Sequence, residues 1–323
     1  MSETKKNMKK CGYIALVGRP NAGKSTLMNA CIGQKVAGVS NKPQTTRNRI
    51  LGIATQNETQ LLFLDTPGLH RSGGYSRINS LMNKEAWGVL NDADVICMMV
   101  DLTGGVEEQD LIFFRQILET ATSPVMLLLS KIDKKKADAL FKRKQNIISA
   151  FSEVYDALDE ELRGKLIHPI GDPFEISAKR PERVAEFCEK VGELVPEGEW
   201  LYNEDDLTNR STDFLMSELI RESVFRLLGQ EIPYHTAVIV EDIDLEKPVI
   251  HVTASIVVSR NSQKGMVVGK GGSKIREIGI LARKSIEQHF DRQVFLDLHV
   301  RVQEGWVDRN EAITELTSIG DHS

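Results

Sequence analysis

The chain is poor in the residues that mark secreted, zinc-binding or membrane-spanning proteins. It has four cysteines in 323 residues, Cys11, Cys31, Cys97 and Cys188, irregularly spaced and without a Cys-x-x-Cys pair. That pattern offers neither a disulfide framework nor a thiolate metal site, and free thiols in a reducing compartment are the plainer reading. The seven histidines are scattered. Aromatics make up only 6% of the chain, which leaves few platforms on which bases could stack. No window approaches the roughly 18 apolar residues of a transmembrane helix. The polar start, Met1 to Lys10, runs into Cys11-Gly12-Tyr13 without the apolar stretch or cleavage site of a secretory leader. A cytoplasmic protein is expected, and the lysine-rich start would allow only transient peripheral contact with the inner membrane.

Net charge is −5, which argues against a wholly basic nucleic-acid coat, but the average conceals one basic stretch. From Arg260 to Lys284, the basic residues Arg260, Lys264, Lys270, Lys274, Arg276, Arg283 and Lys284 face only Glu277. Such a patch can bind a polyanion at one face of an otherwise acidic molecule. The runs at residues 5–10 and 131–144 are also basic and read as solvated surface.

The clearest chemistry lies in Gly18-Arg19-Pro20-Asn21-Ala22-Gly23-Lys24-Ser25, between the apolar Tyr13–Val17 and the helix-like Thr26-Leu27-Met28-Asn29-Ala30. This is a phosphate-binding loop in its strand–loop–helix setting. Terminal glycines let consecutive N–H groups turn inward, and the helix N-terminus adds its positive dipole end. Lys24 is expected at the β- and γ-phosphates and Ser25 on Mg²⁺. Apolar runs Leu61–Asp65, Val95–Asp101 and Val125–Leu129 alternate with helix-length segments at 78–91, 109–119, 146–159 and 181–191. That alternation indicates an α/β domain with a mostly parallel sheet, whose ligand crevice lies beyond the strands' carboxyl ends. Asp65-Thr66-Pro67-Gly68 falls there, with Asp65 a Mg²⁺-side carboxylate and the Gly68 N–H facing the γ-phosphate. The polar loop Asn41–Asn48 offers Thr45 and Thr46, either of which suits Mg²⁺ by hydroxyl.

Asp65-Thr66-Pro67-Gly68, Ser130-Lys131-Ile132-Asp133 and Ser177-Ala178-Lys179 stand in the order of the GTPase motifs that follow such a loop. With Pro43-Gln44-Thr45-Thr46-Arg47, the chain resembles translation-factor-class GTPases, and more narrowly the bacterial Era family. The resemblance assigns the Mg²⁺ hydroxyl to Thr46. It implies that Asp133 accepts guanine N1–H and the exocyclic amine, that Lys131 lays its stem along the base, and that the Ala178 N–H reaches O6. The asparagine matching Asn21 helps such enzymes hold K⁺. Two departures matter. Ser130 replaces the usual asparagine, which both contacts the base and ties its loop to the phosphate loop. Leu69 stands where related enzymes carry a water-orienting glutamine, so slow basal hydrolysis of GTP is expected.

Beyond residues 1–195, the acidic, Pro- and Gly-containing segment 196–210 reads as a linker. Within 211–323 the order is helix 213–228 closed by Gly229, strands 236–243 and 249–259, a helical segment near 264–268, Gly269-Lys270-Gly271-Gly272, helix 273–290 and strand 294–302. That α+β order with a Gly-x-x-Gly turn resembles the prokaryotic-type KH fold, whose turn clamps single-stranded RNA. Lys264, Gly269, Lys270, Gly271, Gly272, Lys274 and Arg276 are the candidate RNA contacts. Phe295 and Trp306 read as structural. The resemblance implies a monomeric GTP-regulated factor for small ribosomal-subunit assembly, acting near the 3′ end of the small-subunit rRNA. A membrane-surface or cell-cycle GTPase with a regulatory RNA-binding domain is the alternative.

Overall fold

The computed structural model describes residues 8–39, 47–68, 77–133, 137–229, 232–317 and 319. They form two compact units, the first drawn from 1–34, 49–71 and 86–209, the second from 35–48, 72–85 and 210–323.

The first unit is built on a six-stranded sheet of order β2-β3-β1-β4-β5-β6. Strands β1 (Lys10–Val17), β3 (Thr59–Asp65), β4 (Val95–Asp101), β5 (Val125–Ser130) and β6 (Phe174–Ile176) run parallel. Their near-continuous apolar runs reflect burial on both faces. β2 (Ile50–Gln56), which the sequence did not announce, pairs antiparallel with β3 across a two-residue turn. Asn57 adopts a left-handed φ of 52° in that turn, a conformation asparagine tolerates. Helices α1 (Lys24–Ile32), α2 (Arg77–Gly88, most of which belongs to the second unit), α3 (Glu108–Thr120), α4 (Ala137–Asp156), α5 (Glu160–Arg163) and α6 (Pro181–Leu194) follow in chain order. On one face of the sheet, Ile96, Met98, Leu127 and Leu129 bury against Phe114 and Phe151. On the other, Phe187 of α6 lies 6.2 Å from Phe63 and 6.1 Å from Phe174.

The connecting segment after α6 is hydrogen-bonded along this unit. The Cys11 N–H donates to the Pro196 carbonyl at 3.1 Å and the Ile53 N–H to Leu207 at 2.9 Å. The fully buried Gln60 serves it as donor and acceptor. Its Nε2 donates to the Tyr202 carbonyl, and its Oε1 accepts the N–H groups of Leu201 and Tyr202.

The second unit contains α7 (Thr212–Leu227), β7 (Thr236–Asp244), β8 (Ile250–Val258), α8 (Asn261–Val268), α9 (Ser273–Phe290), β9 (Val294–Val302) and α10 (Asn310–Thr317). The sheet order is β7-β8-β9, antiparallel then parallel. α9 and β9 have the bounds expected from the sequence. α7 ends differently, because Leu228 leaves it in an extended conformation with its N–H on the Val224 carbonyl, so Gly229 is not the cap. Val252, Ala254 and Ile256 of β8 meet Ile220 and Val224 of α7 and Ile278 and Ala282 of α9 in the core.

A second cluster surrounds the fully buried Trp306. Ile313 and Leu316 of α10 join Ala237, Val257 and the α2 residues Ile78 and Met82 there. Arg47 and Lys35 are both bound within this unit. Arg47, 1% exposed, donates from Nη1 to the Thr236 carbonyl at 2.7 Å and from Nη2 to Pro233 and Tyr234 at 2.9 and 3.0 Å. Burial and the neighbouring Arg221 push its pKa down to about 9, partly opposed by Glu218, so it stays cationic at neutral pH. Lys35 pairs at 2.5 Å with the buried Glu222. Trp306→Ala is expected to destabilise this unit by roughly 3–5 kcal/mol, as truncation of a buried aromatic does. Urea denaturation followed by circular dichroism checks it, and an unshifted midpoint would show that the cluster is not structural.

Candidate functional site

The carboxyl ends of β1, β3, β4, β5 and β6 carry the residues singled out from the sequence. Gly18 to Gly23 link β1 to α1, and Lys24, Ser25 and Thr26 form the first helical turn. Gly23, at φ 106°, occupies the N-cap position, and Asn21 is left-handed at φ 63°. The loop closes on Lys24, whose Nζ donates to the carbonyls of Gly18 and Arg19 at 3.0 and 3.1 Å. Ala22 is buried in it. Gly68 lies so near Pro20 that a Cβ would come within 2.6 Å of its backbone, so only glycine fits there.

Ser25 Oγ donates to Asp65 Oδ2 at 2.5 Å. A hydroxyl and a carboxylate converging at a helix N-terminus are the hard oxygens that Mg²⁺ takes, and the loop's geometry suits phosphate. The residues therefore fit a Mg²⁺–nucleotide. Thr46 lies outside the described residues, as does Leu69.

Arg19 shares the loop backbone, but its guanidinium turns to α3. Nε donates to Asp110 Oδ1 at 2.8 Å, and a terminal nitrogen pairs with Glu107. Asp110 is almost fully buried and also accepts the Glu107 N–H, in a capping box at the start of α3. Its carboxyl is raised by burial against the pull of Arg19.

The base-side motifs meet at the ends of β5 and β6. Ser130 Oγ donates to the Ala22 carbonyl at 2.6 Å and lies 3.2 Å from the Val100 carbonyl. The serine thus keeps the tie to the phosphate loop that an asparagine would make, with its single proton committed there. Lys131 follows at φ 64°, its Nζ 2.6 Å from Asp101 Oδ2. Asp133 receives the Ser177 hydroxyl on Oδ1 at 2.7 Å, while Lys179 Nζ lies 3.5 Å from Oδ2. Slight burial works to raise the Asp133 carboxyl, but Ser177 and Lys179 outweigh it and hold the group below the usual carboxylate range. It is an ionised acceptor at neutral pH. Ala178, half-buried, connects these two contacts.

Asp101 and Asp110 were not anticipated. Asp110 had a legible signal, since Glu107-x-x-Asp110 before an apolar helical run is a capping-box pattern. Asp101 had only its place at the end of an apolar strand.

In the second unit Gly269, Gly271 and Gly272 take φ values of 74°, 59° and 77°, so the turn needs glycines. Lys264, Lys270 and Arg276 are exposed, and Lys274 is half-exposed with Glu277 at 2.7 Å. Val267 is buried while Met266 is 54% exposed beside the turn. Phe295 is also open, at 57%, with its ring 5.3 Å from that of His251.

Lys24 is wholly buried, and desolvation pushes its pKa down to about 8 against the attraction of Asp65. Phosphate oxygens favour the charged form and would raise that value. Nucleotide binding near pH 8 should therefore take up about half a proton, less as pH falls and Lys24 is already charged. Titration calorimetry in buffers of different ionisation enthalpy reads this, and equal apparent enthalpies at pH 8 would disprove it.

Both parts of the chain match known families. Residues 13–131 match a family described as 50S ribosome-binding GTPase, and residues 231–307 match the KH domain. The GTPase Era of Xylella fastidiosa strain M12 is 40% identical over 304 residues, 94% of this chain and 96% of that protein. That of Pseudomonas fluorescens strain Pf0-1 is 38% identical over 313 residues, 97% and 98%. A variant of Aquifex aeolicus Era bound to GDP·AlF4⁻ superposes with TM-score 0.83 at 32% identity, covering 95% of this chain and 98% of that one. An Era in complex with MgGDPNP and nucleotides 1506–1542 of 16S ribosomal RNA gives the same values. A P-loop GTPase fold followed by a KH fold, with this likeness over almost its whole length, makes the chain a GTPase of the Era family.

Proposed function

We propose that this chain is a GTP-switched RNA-binding factor that engages the 3′ region of small-subunit ribosomal RNA during assembly of the small ribosomal subunit. The observation that carries the reading is the joint presence of a phosphate loop tied to a guanine-type acceptor, through Ser130, and a Gly-x-x-Gly turn flanked by lysines. The relative bound to both MgGDPNP and 16S rRNA nucleotides supports joining the two in one activity. The functional division proposed is a G domain at 1–195, a linker at 196–210 and a KH domain with its tail at 211–323.

In this mechanism the loop N–H groups between Gly18 and Ser25, Pro20 having none, and the Lys24 ammonium bind the phosphates and stabilise charge that develops on the leaving oxygen. Ser25 and Thr46 would hold Mg²⁺ by hydroxyl with Asp65 on the same side of the ion, and the Gly68 N–H would face the γ-phosphate. Mg²⁺, when bound, supplies charge neutralisation at the β- and γ-phosphates. Asp133 accepts from guanine N1–H and N2–H, and adenine, lacking that pair of donors, would leave the carboxylate unmatched. Asn21 is proposed to help hold a K⁺ ion. Leu69 cannot hydrogen-bond an attacking water, so basal turnover is slow and water alignment comes from another group or a bound partner.

Two experiments test this reading. Asp133→Asn replaces an acceptor carboxylate by an amide of the same size. It should cost GTP affinity about 100-fold, two charge-assisted hydrogen bonds being lost, and favour XTP over GTP. Competition binding with GTP, ATP and XTP measures it, and an unchanged preference for GTP would remove Asp133 from the base site. Lys270→Asp with Gly271→Asp sets two carboxylates against RNA phosphate and forces a side chain onto a left-handed glycine. Affinity for a single-stranded 3′-end rRNA oligonucleotide should fall at least about tenfold, and most at low salt. Basal GTP hydrolysis should persist. Equal RNA affinity at two salt concentrations would sink the KH assignment.

A further inference from the structure

Two lysines flank the candidate base site, and only one is fixed. Lys179 is 70% exposed in its side chain and reaches Asp133 only at 3.5 Å. Lys131 is 20% exposed and reaches Asp101 at 2.6 Å. Asp101 ends β4, directly beside Ser130 in the parallel register of β4 and β5. Its two carboxylate oxygens divide the work. Oδ2 takes the Lys131 ammonium, while Oδ1 accepts the Thr103 N–H at 2.8 Å and the Thr103 hydroxyl at 2.7 Å. Its own carbonyl accepts the N–H groups of Gly104 and Gly105. The carboxylate is therefore oriented before it meets the lysine. Burial works to raise its pKa, and the bonds from Lys131 and Thr103 outweigh that, so it remains ionised.

We propose that Asp101 is a positioning residue of the guanine site, acting through Lys131 by fixing the lysine stem as a flat wall for the base. The proposal rests on the guanine-binding reading given above. A free lysine samples many rotamers, and a base that must lie against its stem pays for ordering them at the moment of binding. Clamped at its far end by Asp101, and turned by a left-handed backbone at its near end, the Lys131 stem is ordered beforehand. The ammonium is thereby occupied at Asp101, which leaves the methylene groups as the surface offered to the ring. Base discrimination stays with Asp133, so Asp101 governs how long a guanine nucleotide stays and not which base is chosen.

The test is a double-mutant cycle on the full chain with Mg²⁺, following release of a fluorescent N-methylanthraniloyl GDP by stopped flow. Asp101→Asn keeps the shape and the acceptor for Thr103 but loses the charge. It should speed release roughly three- to tenfold, the worth of ordering one rotamer-rich side chain. In GTP hydrolysis the loss should fall on KM more than on kcat, and the preference for GTP over XTP should be kept. Lys131→Met retains a stem without an ammonium, and in that background Asp101→Asn should change release less than about twofold, because the coupling partner is gone. Equal acceleration in both backgrounds, or none in either, overturns the proposal. Should Asp101→Asn fail to fold by circular dichroism, Thr103→Val, which removes the hydroxyl orienting Asp101, goes through the same cycle with the same criteria. Asp133→Asn run alongside separates the two readings. If it switches base preference while the cycle is additive, Asp101 alone is discarded; if base preference does not move, the guanine site itself is.

Discussion

The bond from Ser130 Oγ to the Ala22 carbonyl joins the two halves of the nucleotide site. Ala22 sits in the loop that would wrap phosphates, and Ser130, 108 residues further along the chain, begins the turn that leads to Asp133. The bond fixes the loop after β1 against the loop after β5 by a short hydrogen bond between buried groups, in a setting where leaving the Ala22 carbonyl unmatched would cost about 1–3 kcal/mol. An asparagine in this position would have an amide able to reach further. The serine makes the structural half of that role and would leave the base to Asp133 and Lys131.

A second theme is the use of side chains instead of backbone to hold the rim of the site. Arg19 to Asp110, Lys131 to Asp101 and Ser177 to Asp133 each join loops from different strands. A loop that must admit a ligand cannot be closed by a regular backbone ladder, and bonds of this kind set its shape while leaving its N–H groups for the ligand. Two of the acidic partners, Asp101 and Asp110, sit at the end or start of a regular element, where the backbone is most rigid.

Much of this was legible in the residues, and the limits have physical causes. The phosphate loop, Asp65-Thr66-Pro67-Gly68 and the Gly-x-x-Gly turn could be read because their chemistry is local: each needs particular residue types at fixed offsets. α9 and β9 were bounded correctly by Gly272 before and the Asp291-Arg292-Gln293 break between them. β2 and β6 were missed. β2 carries Gly52 in its middle, which weakens a strand pattern, and the α1 side chains of Met28 and Ile32 pack directly over that glycine. β6 has only three residues, too few for periodicity to register. α10 was absorbed into a tail because its apolar face, Ile313 and Leu316, is answered in part by residues distant in sequence, among them Ile78, Met82, Ala237 and Val257. The same applies to polar residues. Nothing in Gln44-Thr45-Thr46-Arg47 says that Arg47 is buried, because its partners are carbonyls of Pro233, Tyr234 and Thr236. Phe295, read as structural, is instead open to solvent beside His251, because alternation along an edge strand cannot tell a solvated face from a covered one.

The seat of Arg47 also has a consequence for how the chain is made. A ribosome releases Arg47 189 residues before Thr236, whose carbonyl it will meet. At roughly 5–20 residues per second, that interval is about ten to forty seconds. Throughout it, the stretch 35–48 belongs to a unit most of which has not been synthesised. The emerging sheet of the first unit can assemble as its strands appear, but Arg47 must wait for its carbonyls, and Ile78 and Met82 for Trp306 and Ile313. Vectorial synthesis therefore imposes an order that the finished molecule conceals: nucleotide-loop scaffold first, KH unit last, and Arg47, Ile78 and Met82, early as they are translated, seated only with the latter.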